Sequence, residues 1–170
     1  MRKLICAIML LLAWSVDEVH SQTFGDGIHL EASAGTGIKD EGVTPVDFSF
    51  KLNVDFVSIF YLFIAAEDNI SLYKRGGIKD HSKGVSGGGG VGVRLFNSVK
   101  SNHAFDFRVK SLASFGNPDW KRTTYDAALA WYLKSEKFSP VVELGYRFID
   151  SRTKGFDNYG NAYLSIGLRY

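Results

Sequence analysis

The chain has 170 residues, a formal net charge of +2 and an aromatic content of 14%. A charge so close to neutral gives no electrostatic preference for nucleic acid, and the length suits one domain behind a leader. The single cysteine, Cys6, lies in the apolar amino-terminal run, so the rest of the chain cannot form a disulfide, a thiolate nucleophile or a cysteine-rich metal site.

The amino terminus has the three regions of a secretory signal peptide. Two cations are followed by an apolar run up to about Val16 and by a polar stretch that ends at Ser21. This order is typical of signal peptides, and the run is shorter than the roughly 20 residues that a membrane-spanning helix needs. We predict a signal peptide over residues 1–21 and one mature domain over residues 22–170. An uncleaved anchor helix is the alternative.

The mature sequence alternates between apolar and polar residues in eight segments. A period of two places successive side chains on opposite faces of a β-strand, whereas an amphipathic helix repeats its apolar positions every three to four residues. The second segment is the clearest, because six apolar residues alternate with polar ones from Val46 to Phe56. The third is apolar on both faces, and its register is ambiguous. The predicted strands cover about residues 27–36, 46–56, 60–69, 88–97, 104–115, 121–133, 139–149 and 158–170.

The connections between these strands alternate in length. The longest loop is predicted over residues 70–87, between the third and fourth strands, whereas a very tight link joins the second to the third. Outer-membrane barrels have short turns on the periplasmic side and longer loops outside. Three of the four connections that would face outward are long, the exception being residues 116–120. The pattern therefore fits a barrel with both termini in the periplasm.

The last nine residues form the most informative strand. From Ala162 to Tyr170 the even-numbered residues are apolar or aromatic, and the odd-numbered ones are mostly polar or small. With the signal peptide, the eight alternating strands and this terminal aromatic residue, the chain resembles small outer-membrane barrels of the OmpA/OmpX type. The resemblance covers nearly the whole mature chain. It implies an all-β, eight-stranded, antiparallel up-and-down transmembrane barrel in the outer membrane of a Gram-negative-type cell.

The same resemblance implies partners. Barrels of this type end in an aromatic residue, most often phenylalanine, that the barrel-insertion machinery recognises, and Tyr170 matches that position. Outer-membrane lipids would surround such a barrel, and other envelope proteins are further candidate partners. We expect no nucleic-acid partner and no cofactor.

If the apolar faces contact lipid, the polar faces fill the lumen. An eight-stranded barrel has an interior just wide enough for side chains, and a buried charge needs a partner. Carboxylates and cations are equally frequent on these faces, so we predict a structural network of paired charges that closes the lumen. Its predicted members, beside His29 on the same face, are Glu31, Asp47, Lys51, Asp55, Arg94, Asp106, Arg108, Lys110, Asp126, Glu143, Arg147 and Arg169.

Two smaller features of the strands also carry expectations. The glycines from Gly87 to Gly92 leave room for a large neighbour, which we expect to be Arg94, and no Lys-Ser/Thr follows them as in a phosphate-binding loop. Aromatic rings near strand ends prefer the level of the lipid headgroups. The candidates for such a girdle are Tyr61, Tyr125, Trp131, Tyr146, Phe148 and Tyr170.

Other functional interpretations were compared with this one. A soluble barrel of the lipocalin type would turn the apolar faces inward, but they are too wide for one eight-stranded cavity. A narrow pore or a transporter of hydrophobic ligands would need a continuous path through the lumen.

A lipid-modifying outer-membrane enzyme would need a serine, a histidine and an acid together at the rim. The histidines of the mature chain are His29, His81 and His103, and the adjacent pair His81-Ser82 rarely gives a nucleophile and its base. We therefore predict no enzymatic activity and no catalytic or metal-binding residue. Acidic pairs such as Glu67-Asp68 are expected to be solvated loop charges.

Overall fold

The computed structural model is a closed antiparallel barrel of eight strands, each bonded to its neighbours in chain order, with the last strand pairing with the first. This confirms the predicted fold class. The structure describes residues 27–38, 44–57, 59–75, 78–98, 102–118, 120–135, 138–154 and 157–170. The predicted signal peptide lies outside them. The strands are β1 (Ile28–Gly37), β2 (Thr44–Val57), β3 (Phe60–Arg75), β4 (Ile78–Asn97), β5 (His103–Phe115), β6 (Arg122–Leu133), β7 (Ser139–Ser151) and β8 (Tyr159–Arg169).

The barrel has two ends that differ in their connections. We call the end with the β2–β3, β4–β5 and β6–β7 connections and with both termini of the barrel the turn end, and the opposite one the loop end. At the loop end, Gly116 has a φ of +78°, a conformation that suits glycine, where the chain leaves β5. Within the described residues, no helix has the length and apolar character to cross a membrane.

The period-two pattern sets which side chains enter the barrel. Along β2, Asp47, Lys51 and Asn53 are buried in the lumen, whereas Phe50 and Val54 are exposed on the outside. In the other strands with a clear alternation, the side chains also lie on the predicted faces. A shift of one residue would move every side chain to the opposite face. Polar residues therefore fill the interior and apolar residues cover the exterior.

The structure resolves the ambiguous register of β3. Tyr61 and Phe63 point into the lumen, where they are buried, and they pair across the sheet with Gly92 and Gly90 of β4. A Cβ atom at Gly92 would overlap the ring of Tyr61. The glycines thus make room for these two rings, and the expectation that Arg94 fills the space was wrong. Tyr61 is likewise in the lumen and does not belong to an outer aromatic girdle.

The prediction of a long loop over residues 70–87 was also wrong. β3 continues to Arg75 and β4 begins at Ile78, and the two strands pair along this whole length. The hairpin extends past its neighbours, since among the described residues β2 pairs with β3 up to Leu72 and β5 pairs with β4 from Val85. Beyond the barrel wall, therefore, the loop end carries a projecting two-stranded ribbon rather than an irregular loop.

Candidate functional site: the charged lumen

The lumen brings together every charged residue predicted for it. All twelve lie on inward faces, and all are buried except Asp55, which is half-buried. The network includes two charged residues that the sequence reasoning missed, Glu67 and Arg122. These side chains form three clusters, one at the centre of the lumen, one towards the loop end and one towards the turn end. A cap closes the loop end.

The central cluster consists of Glu31, Lys51, Arg108 and Glu143. Lys51 Nζ lies 3.1 Å from Glu31 Oε1 and 2.7 Å from Glu143 Oε2. Arg108 donates from both terminal nitrogens to Glu31, each at 2.8 Å, and from NH1 to Glu143 Oε2 at 2.8 Å. Two cations and two carboxylates from four strands thus compensate one another with short, charge-assisted hydrogen bonds.

Three tyrosines complete the bonding of this cluster. Tyr163 donates to Glu143 Oε1 at 2.7 Å, and Arg108 Nε donates to the Tyr61 hydroxyl at 2.7 Å. The Arg108 guanidinium also lies over the Tyr132 ring, 5.1 Å from its centroid, close enough for a cation–π interaction. Aromatic rings thereby fill the space between the charges and the barrel wall.

The loop-side cluster consists of Asp47, Glu67, Lys110, Asp126 and Arg147. Arg147 binds Asp126 with two nitrogens at 2.9 and 2.8 Å, and it also donates to Asp47 at 2.8 Å and to Glu67 at 3.3 Å. Lys110 pairs with Glu67 and lies 3.1 Å from Asp126. The gap between this cluster and the central one leaves a cavity volume of about 0 Å³, so it has no room for a water molecule.

The turn-side cluster consists of Asp55, Arg94, Asp106 and Arg169. Each arginine faces both carboxylates, but the distances are longer than elsewhere: 3.4 and 3.7 Å from Arg94, and 3.9 and 4.0 Å from Arg169. His29 Nε2 lies 3.8 Å from Asp55 on the outer side of the cluster. This part of the lumen is therefore loosely packed, in contrast to the two tight clusters beyond it.

A cap of aromatic and polar side chains lies at the loop end. The Arg122 guanidinium lies 4.9 Å from the Trp120 ring centroid, and Arg122 also donates to the Ser71 hydroxyl at 3.4 Å. Trp120 Nε1 donates to Ser151 at 2.9 Å, and its ring stacks on Tyr159. Trp120 is buried, so it covers the lumen where the chain crosses from β5 to β6.

The outer surface of the barrel is an apolar belt. Large apolar side chains are exposed on the outward face of every strand, among them Leu30, Phe50, Ile64, Val91, Phe107, Leu129, Leu144 and Ile166. At the turn end, rings pair around the rim: Phe96 with Phe105, His103 with Trp131, and Phe138 with Tyr170, at centroid distances of 5.5 to 6.2 Å.

Comparison with known proteins was made for the whole chain. No protein-family model matches the sequence, and the comparison with curated proteins found no match. A structure from the de novo design of transmembrane β-barrels superposes with a TM-score of 0.51 at 15% identity, covering 89% of this chain and 98% of the designed one. The chain has the fold of a transmembrane β-barrel.

Two natural barrels are also similar at lower scores. The N-terminal β-barrel domain of Pseudomonas aeruginosa OprF has 10% identity and a TM-score of 0.48, covering 85% of this chain and 97% of that one. Ail, the attachment invasion locus protein of Yersinia pestis, has 15% identity and a TM-score of 0.46 with the same coverage.

The histidines of the barrel lie far apart in the described structure. His29 is in the turn-side lumen, His81 is exposed on the projecting hairpin, and His103 accepts a hydrogen bond from Trp131 Nε1 at 3.2 Å on the outer rim. Among the described residues, no group of three or more metal-ligating side chains is placed to hold an ion. Glu67, expected as a solvated loop charge, is instead buried in the loop-side cluster.

The two missed charges had signals in the sequence. Arg122 shares the inward parity of Thr124 and Asp126 on its strand, so the alternation already placed it in the lumen. Glu67 is followed by Asn69 and Ser71 at alternate positions, which marks the inward face of β3 beyond its apolar part. The residues before Glu67 are apolar on both faces of β3, so the alternation there did not show which face points inward.

Proposed function

We propose that the protein is an integral outer-membrane β-barrel with a closed, charge-filled lumen and a structural, surface-exposed or accessory role without chemistry of its own. One observation carries the proposal: the same barrel has an apolar belt outside and a buried ion network inside. A soluble barrel has the opposite arrangement, since water would contact the polar side. An apolar belt that surrounds the whole molecule fits a lipid bilayer, whose core offers no partner for exposed charges.

The proposed orientation follows from the connections. Short turns and both barrel termini lie at the turn end, which we assign to the periplasm, and the projecting β3–β4 hairpin then extends outside the cell. Tyr170 lies at the periplasmic rim in this orientation, where its ring packs against Phe138. This position suits the proposed role of Tyr170 as an insertion signal for the barrel-assembly machinery.

The location can be tested by fractionating cells that express the full chain. We expect the mature protein, cleaved after Ser21, in the outer-membrane fraction. It should migrate faster on a detergent gel before boiling than after, because a closed barrel resists detergent unfolding. Recovery of the chain in a soluble fraction with Met1 intact would contradict the proposal.

The closed lumen predicts that the barrel does not conduct ions. The gap between the central and loop-side clusters has no room for a water molecule, which supports a lumen closed to ions. Planar-bilayer recordings of the purified, refolded barrel should show no defined single-channel currents. Steady unitary currents, changed in size by Arg147→Ala, would instead favour the alternative of a narrow pore.

A further inference from the structure

We propose that the turn end of the lumen contains a binding site for a small oxyanion, that is, a carboxylate or phosphate group. The inference rests on the geometry of the barrel mouth and is independent of the membrane in which the barrel lies. The site occupies the open part of the turn-side cluster, below the tightly packed centre.

A cavity of about 280 Å³ opens at this mouth. Its volume is near the lower end of small-molecule sites, which measure about 300–1,000 Å³, and it therefore suits one small ion with a few waters. Most of its lining residues carry polar or charged side chains, unlike those of the apolar outer surface. The lining residues used below are His29, Arg94, Asp106, Lys134, Ser139 and Arg169.

Arg169 supplies the main recognition group. The residue is 9% exposed and lines the cavity, yet no described residue accepts a hydrogen bond from its guanidinium. The nearest carboxylate oxygens, on Asp55 and Asp106, are 3.9 and 4.0 Å away, beyond hydrogen-bond distance. An arginine has five N–H donors, and those of Arg169 at the cavity are open to a ligand or to water. An oxyanion at the mouth would accept these hydrogen bonds in the geometry that guanidinium groups favour.

Lys134 supplies a further positive charge at the mouth. Its ammonium group donates to the side-chain oxygen of Asn97 and to the carbonyl of Ser98, which are both neutral acceptors. No carboxylate of the described chain lies within ion-pair distance of it. The charged side chains of the lining are three cations, Arg94, Lys134 and Arg169, and two carboxylates, Asp55 and Asp106.

The arrangement favours an anion over a cation. Both carboxylates of the lining, Asp55 and Asp106, already face Arg94 and Arg169, whereas Lys134 has no carboxylate beside it among the described residues. A cation would have to compete with the arginines for these carboxylates, while an anion would bind N–H donors of Arg169 that have no protein acceptor in the described part of the chain. Neither carboxylate oxygen of Asp106 has a hydrogen-bond partner among the described residues, and both are buried, so the two arginines at 3.7 and 4.0 Å compensate its charge.

The test uses the folded barrel in zwitterionic nanodiscs, titrated with inorganic phosphate and, separately, with acetate. The arginine Nε–Hε signals in nitrogen–proton NMR spectra report binding. We expect a saturable shift of the Arg169 signal, and an affinity at least about tenfold weaker in Arg169→Gln because charge-assisted hydrogen bonds are lost. Arg152→Gln is the matched control, since Arg152 is exposed at the loop end. It should bind as the unmodified protein does.

Lys134→Gln provides a second variant, at a position outside the strands, in case Arg169→Gln does not refold. It should also weaken phosphate binding. A further arm uses nanodiscs with anionic lipid and no added phosphate. A shift of the Arg169 signal there would identify a lipid headgroup as the source of the anion. A shift that appears only on titration with phosphate or acetate would identify a soluble anion. No saturable shift in either arm, or equal weakening by Arg152→Gln, would overturn the inference and leave a cavity that holds water only.

Discussion

Replacing Arg147 by alanine is expected to lower the free energy of unfolding by about 3–5 kcal/mol, the usual cost of removing one partner from a buried ion pair. The Arg147 side chain is 3% exposed and bonds to three carboxylates. Lys110 still pairs with Asp126 and Glu67 after the change, but Asp47 loses its ion pair with Arg147. The damage should therefore come mainly from a carboxylate left buried without a cation.

This cause can be separated from the cavity that the substitution also creates. Adding Asp47→Asn to Arg147→Ala removes the uncompensated charge while leaving the cavity, so the double variant should be more stable than the single one. Arg152→Ala is the matched control and should change stability by less than about 1 kcal/mol, because Arg152 is exposed. Urea unfolding in lipid vesicles provides the measurement. An unfolding free energy of Arg147→Ala equal to that of the unmodified protein would show that the network is not structural.

The sequence predicted which charges share the lumen but not how they pair. Period-two alternation fixes the face of each residue, so it placed Arg108 and Glu143 in the lumen. Their strands are not adjacent, so alternation alone could not show that these two residues pair. Pairing depends instead on the stagger of the closed sheet, which decides which inward residues meet across the lumen. This explains why Arg147 reaches Asp47 from the far side of the barrel, a contact that no local spacing encodes.

Strand β3 shows where alternation loses its information. Its inward face carries Tyr61 and Phe63 near the turn end, so both faces are apolar there and the hydrophobic pattern cannot distinguish them. The decisive signal lay on the next strand. Gly90 and Gly92 have no side chains of their own on the inward face, and large neighbours have to occupy that space.

The projecting hairpin shows a different limit. Apolar alternation requires one apolar and one polar surrounding, and it fades where β3 and β4 extend past the neighbouring strands, although their backbones remain paired. The segment therefore looked like a loop by hydropathy. The dipeptide Gly76-Gly77 between the two runs is a recognised hairpin signal and would have indicated a tight connection.

Replacing Leu129 by arginine is expected to destabilise the membrane-inserted barrel by about 2–4 kcal/mol, the cost of a charge on the lipid face near the bilayer midplane. Leu129 is 51% exposed on the outer face of β6. Its cross-strand neighbours are Phe107 on β5 and Leu144 on β7, both exposed and apolar. An arginine there would have no polar partner beside it and would have to reach the headgroups along an apolar surface.

Leu133→Arg is the matched control on the same face of the same strand. Leu133 is the last residue of β6 at the turn end, where a lipid-facing arginine costs only about 0–1 kcal/mol because its guanidinium reaches the interface. Asn117→Arg, at an exposed position of the loop end, should have no measurable effect. Refolding titrations in vesicles compare the three variants. If the belt is buried in lipid, the loss of stability should be largest for Leu129→Arg, because the cost of a charge in a bilayer depends on its depth. Equal tolerance of arginine at all three positions would mean that the apolar belt faces something other than a membrane.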